Sequence, residues 1–388
     1  MAKGLDLLRW RGDIVSNNVL VLYPGNWLYN ASVIGFLRSL EDVEKLSGSF
    51  NLKDDGTIVI DKNIFSQLNV EERYYVKKIS SIIGNSSSYK NYLQYYDEYK
   101  SAFVFFVKNL GRIKEIYDCV PCGFCGRKFE FSDLDILSIK QQIKNEKIER
   151  AFENFLKGIK KYDVRHNALL GPSAGGFPNS FWNKNVSFKI CPLCAYLIIH
   201  HHYTTFEFPD NNMKLDVFIN TPSFKVMWYL NKYLQTIYEK GKIITTKELL
   251  GMSIIEMALK VNVQLGKWNM MNIEIVTKSN GKVDFFSMPY EITVLLSNRE
   301  VASLLNEIGE LKVLNLILNS DFIKVLELAE RIFKIALKPE KERSEQDKKF
   351  VSENIKLQKN IENLTSLSYK LFKLYAVIEE KAKKEAFV

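Results

Sequence analysis

Residues Cys119 to Gly126 read CVPCGFCG and residues Cys191 to Cys194 read CPLC, and the chain's five cysteines all fall in these two stretches. Each stretch holds a C-x-x-C step, which sets two thiolates on one tight turn at the spacing that grips one edge of a tetrahedral metal site. Two such turns supply four sulfurs. Gly126 follows the second cysteine of Cys122–Cys125, where a positive φ turns the chain back and can bring an amide toward sulfur. Cys119 makes an overlapping C-x-x-C with Cys122, so spacing alone leaves the membership of the first pair open. Gly126 favours Cys122 and Cys125, with Cys191 and Cys194 as the other half. Between Cys125 and Cys191 lie 65 residues, against about 15 to 20 in a compact zinc ribbon, so a metal here would tie the base of a large insertion. Structural Zn2+ fits the pattern first, with an iron–sulfur cluster or free redox thiols as alternatives. Four cysteines close the coordination shell and leave no position for an activated water, which argues against zinc catalysis. The run His200-His201-His202 offers further donors to a shell that is already complete.

On the N-terminal side of the cysteines, Asn18 to Tyr23 (NVLVLY) reads as a strand. A turn at Pro24-Gly25 follows, then an amphipathic helix from about Asn30, with Val33, Ile34, Phe36, Leu37, Leu40 and Val43 on its buried face. Trp27 reads as core and Asn30 as a helix cap. Asp55-Gly56 signals a hairpin before a strand over Thr57 to Ile60. Residues 64 to 110 look helical and carry Tyr92, Tyr95, Tyr96 and Tyr99, whose spacing suits half-buried packing more than base stacking. Between the cysteine pairs, a charged helix is expected from about Leu134 to Lys161, solvated on its surface, with Asp133 and Asp135 as N-terminal caps. A Gly/Pro-rich loop, GPSAGGFPNSFWN, covers Gly171 to Asn183.

Beyond Cys194 the periodicities predict a strand over Asp216 to Asn220, helices over Phe224 to Tyr238 and Thr246 to Val263, and a hairpin of Asn272 to Thr277 with Lys282 to Ser287 around Asn280-Gly281. From about Glu300 the pattern is helical, broken near Pro339. The expected fold class is α+β, a mixed N-terminal body with an inserted four-cysteine zinc-binding module and a C-terminal helical domain. Its segments are 1–118, 119–205, 206–300 and 301–388.

With 388 residues and 46% hydrophobic side chains the chain has material for a large core, and its 54 Lys and Arg against 45 Asp and Glu leave it at +9. That balance favours polyanionic partners and is equally met by an ordinary lysine-rich surface. The N-terminal MAKGLDLLRWRGDIV has no sustained apolar segment, and no later stretch is long and apolar enough for a membrane span, which points to the cytoplasm. Gly171-Pro172-Ser173-Ala174-Gly175 matches the G-x-S-x-G nucleophile elbow, but no Asp or Glu lies between Ser173 and His202, after which there is no histidine, so the required acid and base are missing. No phosphate loop, H-E-x-x-H or other catalytic constellation is present, and no enzyme activity is expected.

Taken in order, Trp27-Leu28-Tyr29-Asn30-Ala31 leading into Ile34-Gly35-Phe36-Leu37, the two cysteine pairs, Ser180-Phe181-Trp182-Asn183 and Val217-Phe218-Ile219-Asn220-Thr221-Pro222 resemble the large subunit of type I-B CRISPR interference (Cascade) complexes of the Thermotogales-type (Tneap) branch. The likeness spans roughly residues 15 to 240. It implies a non-catalytic subunit in antiviral defence that recognises the motif flanking a target in double-stranded DNA, within an assembly of guide RNA and CRISPR backbone subunits. It also implies recruitment of a helicase-nuclease. In such assemblies base pairing reads the sequence, and protein reads a short flanking motif and the phosphate backbone. Within that frame Ser173, Gly175, Gly176, Asn179 and Ser180 are candidate motif readers, because glycine permits close backbone approach and Asn or Ser can donate to base edges. A turn packed under the metal is the competing account of the same residues. Lys184, Lys189, Arg127 and Lys128 are candidate phosphate contacts, or ordinary solvated charges. A zinc-stapled nuclease and a dimeric DNA-binding regulator remain the alternatives.

Overall fold

The computed structural model describes residues 18–42, 46–68, 97–117, 120–159, 161–163, 187–204, 206–210, 213–239, 245–260, 272–279 and 282–385. The chain divides into two compact units, Met1–Tyr203 and Thr204–Val388. The architecture is mixed α+β with a C-terminal helical region.

In the first unit, strand β1 (Val19–Leu22) pairs antiparallel with β3 (Ile58–Asp61), which also pairs with β2 (Phe50–Leu52). The β2–β3 turn is set by Asp55, whose carboxylate accepts from the Thr57 amide at 2.9 Å, and by Gly56 at φ 88°. Helix α1 (Trp27–Asp42) begins three residues earlier than the periodicity suggested. Asn26, not Asn30, caps it, accepting from the Tyr29 amide at 2.9 Å. Every residue from Leu28 to Leu37 is buried. A helix apolar all round belongs in the middle of a core. Its two buried serine hydroxyls, Ser32 and Ser39, are spent on the Leu28 and Phe36 carbonyls. Trp27 is half-buried at its start, and Val43 lies outside the described residues.

Helices α2 (Ile64–Gln67) and α3 (Asp97–Asn109) follow; Tyr92, Tyr95 and Tyr96 lie outside the described residues. Short strands β4 (Lys114–Glu115) and β5 (Phe129–Glu130) bracket the first cysteine pair. The charged stretch forms two helices, α4 (Asp133–Gln142) and α5 (Glu146–Gly158), where one had been expected. Both boundaries are local: Ser132 and Asp135 form a reciprocal capping box at α4, and Asn145 accepts from the Lys147 amide to start α5 afresh. Nor is this region wholly solvated. Ala151, Phe152, Phe155 and Leu156 are buried on α5, where Phe155 meets Phe103 and Phe106 of α3 edge-on. Strands β6 (Lys161–Asp163) and β7 (Ser187–Lys189) then pair antiparallel, Asp163 opposite Ser187. Helix α6 (Pro192–Leu197) runs into a 3₁₀ helix, Ile198–Tyr203, which packs along α1.

The second unit carries a four-stranded antiparallel sheet in the order β11-β10-β9-β8, from β8 (Phe206–Asp210), β9 (Met213–Asn220), β10 (Glu274–Ser279) and β11 (Lys282–Ser287). Ser279 pairs with Lys282 across a two-residue connection, as the Asn-Gly signal requires. Strand β8 stops pairing at Val217, which would strand the backbone of Ile219 on that side. Asn231 of helix α7 (Phe224–Glu239) takes its place: its amide accepts from the Ile219 N–H at 2.9 Å and donates to the Ile219 carbonyl at 2.7 Å. Helix α8 (Thr246–Lys260) packs on α9 (Tyr290–Ser297), α10 (Arg299–Ile308) and α11 (Leu311–Leu318). Helices α12 (Phe322–Ala336), α13 (Glu345–Asn354), α14 (Gln358–Glu362) and α15 (Leu364–Glu385) complete the unit. One hydrophobic core runs from Phe208 and Ile219 in the sheet to Ile378 in α15, joining the segments 206–300 and 301–388. Glu310, buried between α10 and α11, accepts from the Lys356 and Leu357 amides and from Asn360 Nδ2, fixing the chain where it enters α14.

Candidate metal centre

The fold brings Cys122, Cys125, Cys191 and Cys194 together, with their four sulfurs all within 4.8 Å of one another. Cys125 Sγ and Cys191 Sγ stand 4.0 Å apart. Metal–sulfur bonds of about 2.3 Å in a tetrahedron put sulfurs about 3.8 Å apart, so the arrangement matches that geometry, whereas a disulfide needs about 2.05 Å. The four thiols can therefore hold a metal ion. Cys119 lies outside the described residues.

Each half of the site is built by its own turn. Arg127 O accepts from the Cys122 amide at 2.9 Å and Cys122 O from the Gly126 amide at 2.9 Å, closing the first knuckle, with Gly126 at φ 67°. The positive φ is where the sequence requires it, but the Gly126 amide closes the turn on a carbonyl. The amides that point at sulfur belong to Phe124 and Cys191, both on Cys122 Sγ at 3.4 Å, and to Cys194, on Cys191 Sγ at 3.5 Å. Cys191 is the N-cap of α6, with Pro192 in its first turn, so the second pair sits on a helix N-terminus that favours negative charge. The two halves are joined by the Gly123 amide, which donates to Lys189 O at the end of β7 at 2.9 Å.

Without metal, Cys122 Sγ is held far below the ordinary thiol range by hydrogen bonds from Cys125, Cys191 and Cys194. Burial pushes Cys191 and Cys194 well above it. One thiolate served by three neighbours starts the tetrathiolate, and a bound cation would displace the remaining protons. Tyr29 is completely buried beside the cluster. Burial first, then Cys194, Cys125 and Cys191, raise its phenol so that it stays protonated.

The other candidate residues fall as follows. Lys189 is exposed at the end of β7 while its carbonyl serves the knuckle. Arg127 turns inward: its guanidinium pairs with Glu115, donates to Val21 O, and lies 5.2 Å from the Tyr23 ring and 4.8 Å from that of Phe129. Lys128 pairs with Glu130 at 3.2 Å. Ser173, Gly175, Gly176, Asn179, Ser180 and Lys184 lie outside the described residues. Sequence inspection missed Asn26 and Tyr29, which border the site. An Asn before a helix is a readable cap signal, but its proximity to a cysteine pair nearly a hundred residues away is not.

His200 and His201 are buried and do not enter the sulfur cluster. His200 sits among Phe36, Tyr196 and Tyr203, with Nδ1 3.2 Å from Leu197 O; a carbonyl only accepts, so Nδ1 carries the proton. Burial depresses its pKa to about 3. The unfolded chain therefore binds the extra proton first. The stability due to this histidine is complete above about pH 6.5 and is lost as pH falls toward the folded value. About 2 kcal/mol should disappear between pH 7 and pH 5. Urea unfolding of the wild type and of His200→Phe at both pH values checks this, since only the wild type should show that part of the loss. Equal losses in the two proteins would refute it.

No helix among the described residues is long and apolar enough to cross a membrane. No family model, curated protein or solved structure matches the chain.

Proposed function

We propose that the chain is a zinc-stapled, non-catalytic nucleic-acid-binding subunit of a guide-RNA-bearing DNA-interference complex of the type I-B CRISPR class. The observation that carries this is the position of the sulfur cluster at the root of the 164–186 segment. Asp163 and Ser187 are paired across β6 and β7, and three residues after the end of the ladder at Lys189 the chain has supplied Cys191 and entered α6. The knuckle itself is bonded to the Lys189 carbonyl. A four-sulfur Zn2+ centre here contributes folding energy and stiffness but no open coordination position. Its work is to fix the two ends of a Gly-, Ser- and Asn-containing segment that also carries Arg165 and Lys184. A segment of this composition on a rigid root suits close approach to a duplex groove, with side-chain donors for base edges and cations for phosphates. The net charge of +9 and the order of motifs in the sequence agree with such a partner.

The test is to isolate the tagged chain from its native host and to sequence the bound RNA and assay metal in the same sample. Repeat-derived guide RNA, co-purifying backbone subunits and about one zinc per chain are expected. A metal-loaded chain without RNA or partners would overturn the assignment. In that case divalent-metal-dependent cleavage would identify a nuclease, and a symmetric footprint on bare DNA a regulator.

A further inference from the structure

The N-cap residue of α1 reaches the first cysteine knuckle with its side chain. Asn26 Nδ2 donates to the carbonyl of Phe124 at 3.3 Å, while Oδ1 of the same amide accepts from the Tyr29 N–H at 2.9 Å. Gly25 presses on the same carbonyl. A Cβ at Gly25 would stand 3.1 Å from Phe124 O and 3.0 Å from the Tyr29 ring. Asn30 in turn holds Gly25 from both sides, accepting from its N–H at 2.8 Å and donating to its carbonyl at 3.0 Å. The Phe124 carbonyl belongs to the peptide whose N–H is that of Cys125. Fixing that peptide plane fixes the direction in which Cys125 leaves the backbone. Cys125 is the least buried of the four sulfur residues, so packing constrains it least.

We propose that Asn26 is a positioning residue of the metal centre: by tying the first turn of α1 to the Phe124 carbonyl, it holds Cys125 at ligand spacing before a metal arrives. This rests on the cluster being a metal site. Partners one shell out from the ligands typically change metal affinity 10- to 100-fold, and an orientation fixed in advance removes an ordering cost from binding. The clamp also ties metal occupancy to the seating of α1, a helix buried from Leu28 to Leu37.

The experiment uses the full chain, stripped of metal and titrated with Co2+ and Zn2+ against a competing chelator. Asn26→Ser keeps a good cap for α1 but is too short to reach Phe124, and Asn26→Asp keeps the cap while setting a carboxylate oxygen against the carbonyl. Ser132→Ala removes the cap of α4 without touching the knuckle and serves as the control. Affinity should fall about 10-fold in Asn26→Ser and further in Asn26→Asp, with weakened tetrahedral-thiolate absorption of the Co2+ form, while Ser132→Ala binds as wild type. Wild-type affinity and spectrum in Asn26→Ser would overturn the clamp, even if its melting temperature fell, because helix capping alone would then account for Asn26. Should Asn26→Asp fail to fold, Asn26→Ser decides. A wild type that binds neither ion would overturn the metal site itself, a result distinct from failure of the clamp.

Discussion

Cys194→Ser is expected to yield a chain without stoichiometric metal whose N-terminal unit does not fold, appearing in the insoluble fraction or melting without a cooperative transition. Cys194 is only 2% exposed and belongs to the first turn of α6. Serine there is similar in shape and slightly smaller, but it loses a thiolate that the metal site needs and leaves a hydroxyl among sulfurs. A structural tetrathiolate supplies on the order of 10 kcal/mol of folding free energy, more than the whole stability of many domains. The cost is concentrated here because the cluster ties together the β4–β5 knuckle, the end of β7 and the start of α6. Elemental analysis of dialysed protein with a circular-dichroism melt makes the measurement. Cys119→Ser is the informative companion: Cys122 and Cys125 already complete a set of four with Cys191 and Cys194, so it should retain metal and melting temperature. A metal-free Cys119→Ser would reverse the assignment of the first pair, and a soluble, metal-loaded Cys194→Ser would overturn that of the second. A brown metal-loaded wild type would point to an iron–sulfur cluster in place of zinc.

What could be read from residue order and what could not divide along the range of the interaction. The Asp55-Gly56 turn, the Asn-Gly hairpin, the capping role of Asp135 and the positive φ of Gly126 are all decided within four residues, and each stands where the sequence puts it. The four sulfurs were legible for the same reason, because C-x-x-C is a local geometry and only the joining of the halves is long-range. The errors come from elsewhere. Asn30 looked like a cap because it precedes the apolar run, yet it lies one turn inside α1 and serves Gly25. The stretch after Leu134 looked like one solvated helix because charge dominates its composition. Its apolar residues at Ala151, Phe152, Phe155 and Leu156 nevertheless form a single stripe, and the break at Asn145 is a capping event within a continuous charge pattern. The inward use of Arg127 was invisible, since its partners Glu115 and Val21 come from two other strands or their flanks.

Phe36→Ala carries the second-largest expected effect, and it joins the core to the titration of His200. The Phe36 ring is fully buried, stacked on Phe65 at 5.9 Å and edge-on to Tyr196 at 5.6 Å and to His200 at 5.2 Å. Tyr196 lies two residues after Cys194, so the ring is packed against the same helix that holds half of the sulfur cluster. Removing a buried phenylalanine costs about 3–5 kcal/mol in transfer and cavity terms, which for a unit of this size lowers the melting temperature by about 10 °C. Metal should still bind, because no ligand or knuckle hydrogen bond is touched. The space left beside His200 admits water or lets the imidazole shift. Either change relaxes the desolvation that depresses its pKa, bringing it nearer to the unfolded value. As His200 then costs less to protonate in the folded state, Phe36→Ala loses less stability than wild type between pH 7 and pH 5. The difference between the two proteins should therefore be smaller at pH 5 than at pH 7, by up to about the 2 kcal/mol assigned to that histidine. Urea unfolding of both proteins at the two pH values, with metal content checked in each, measures it. A difference independent of pH would show that Phe36 does not enforce the burial of His200, leaving Tyr196 and Tyr203 as the groups that keep it dry.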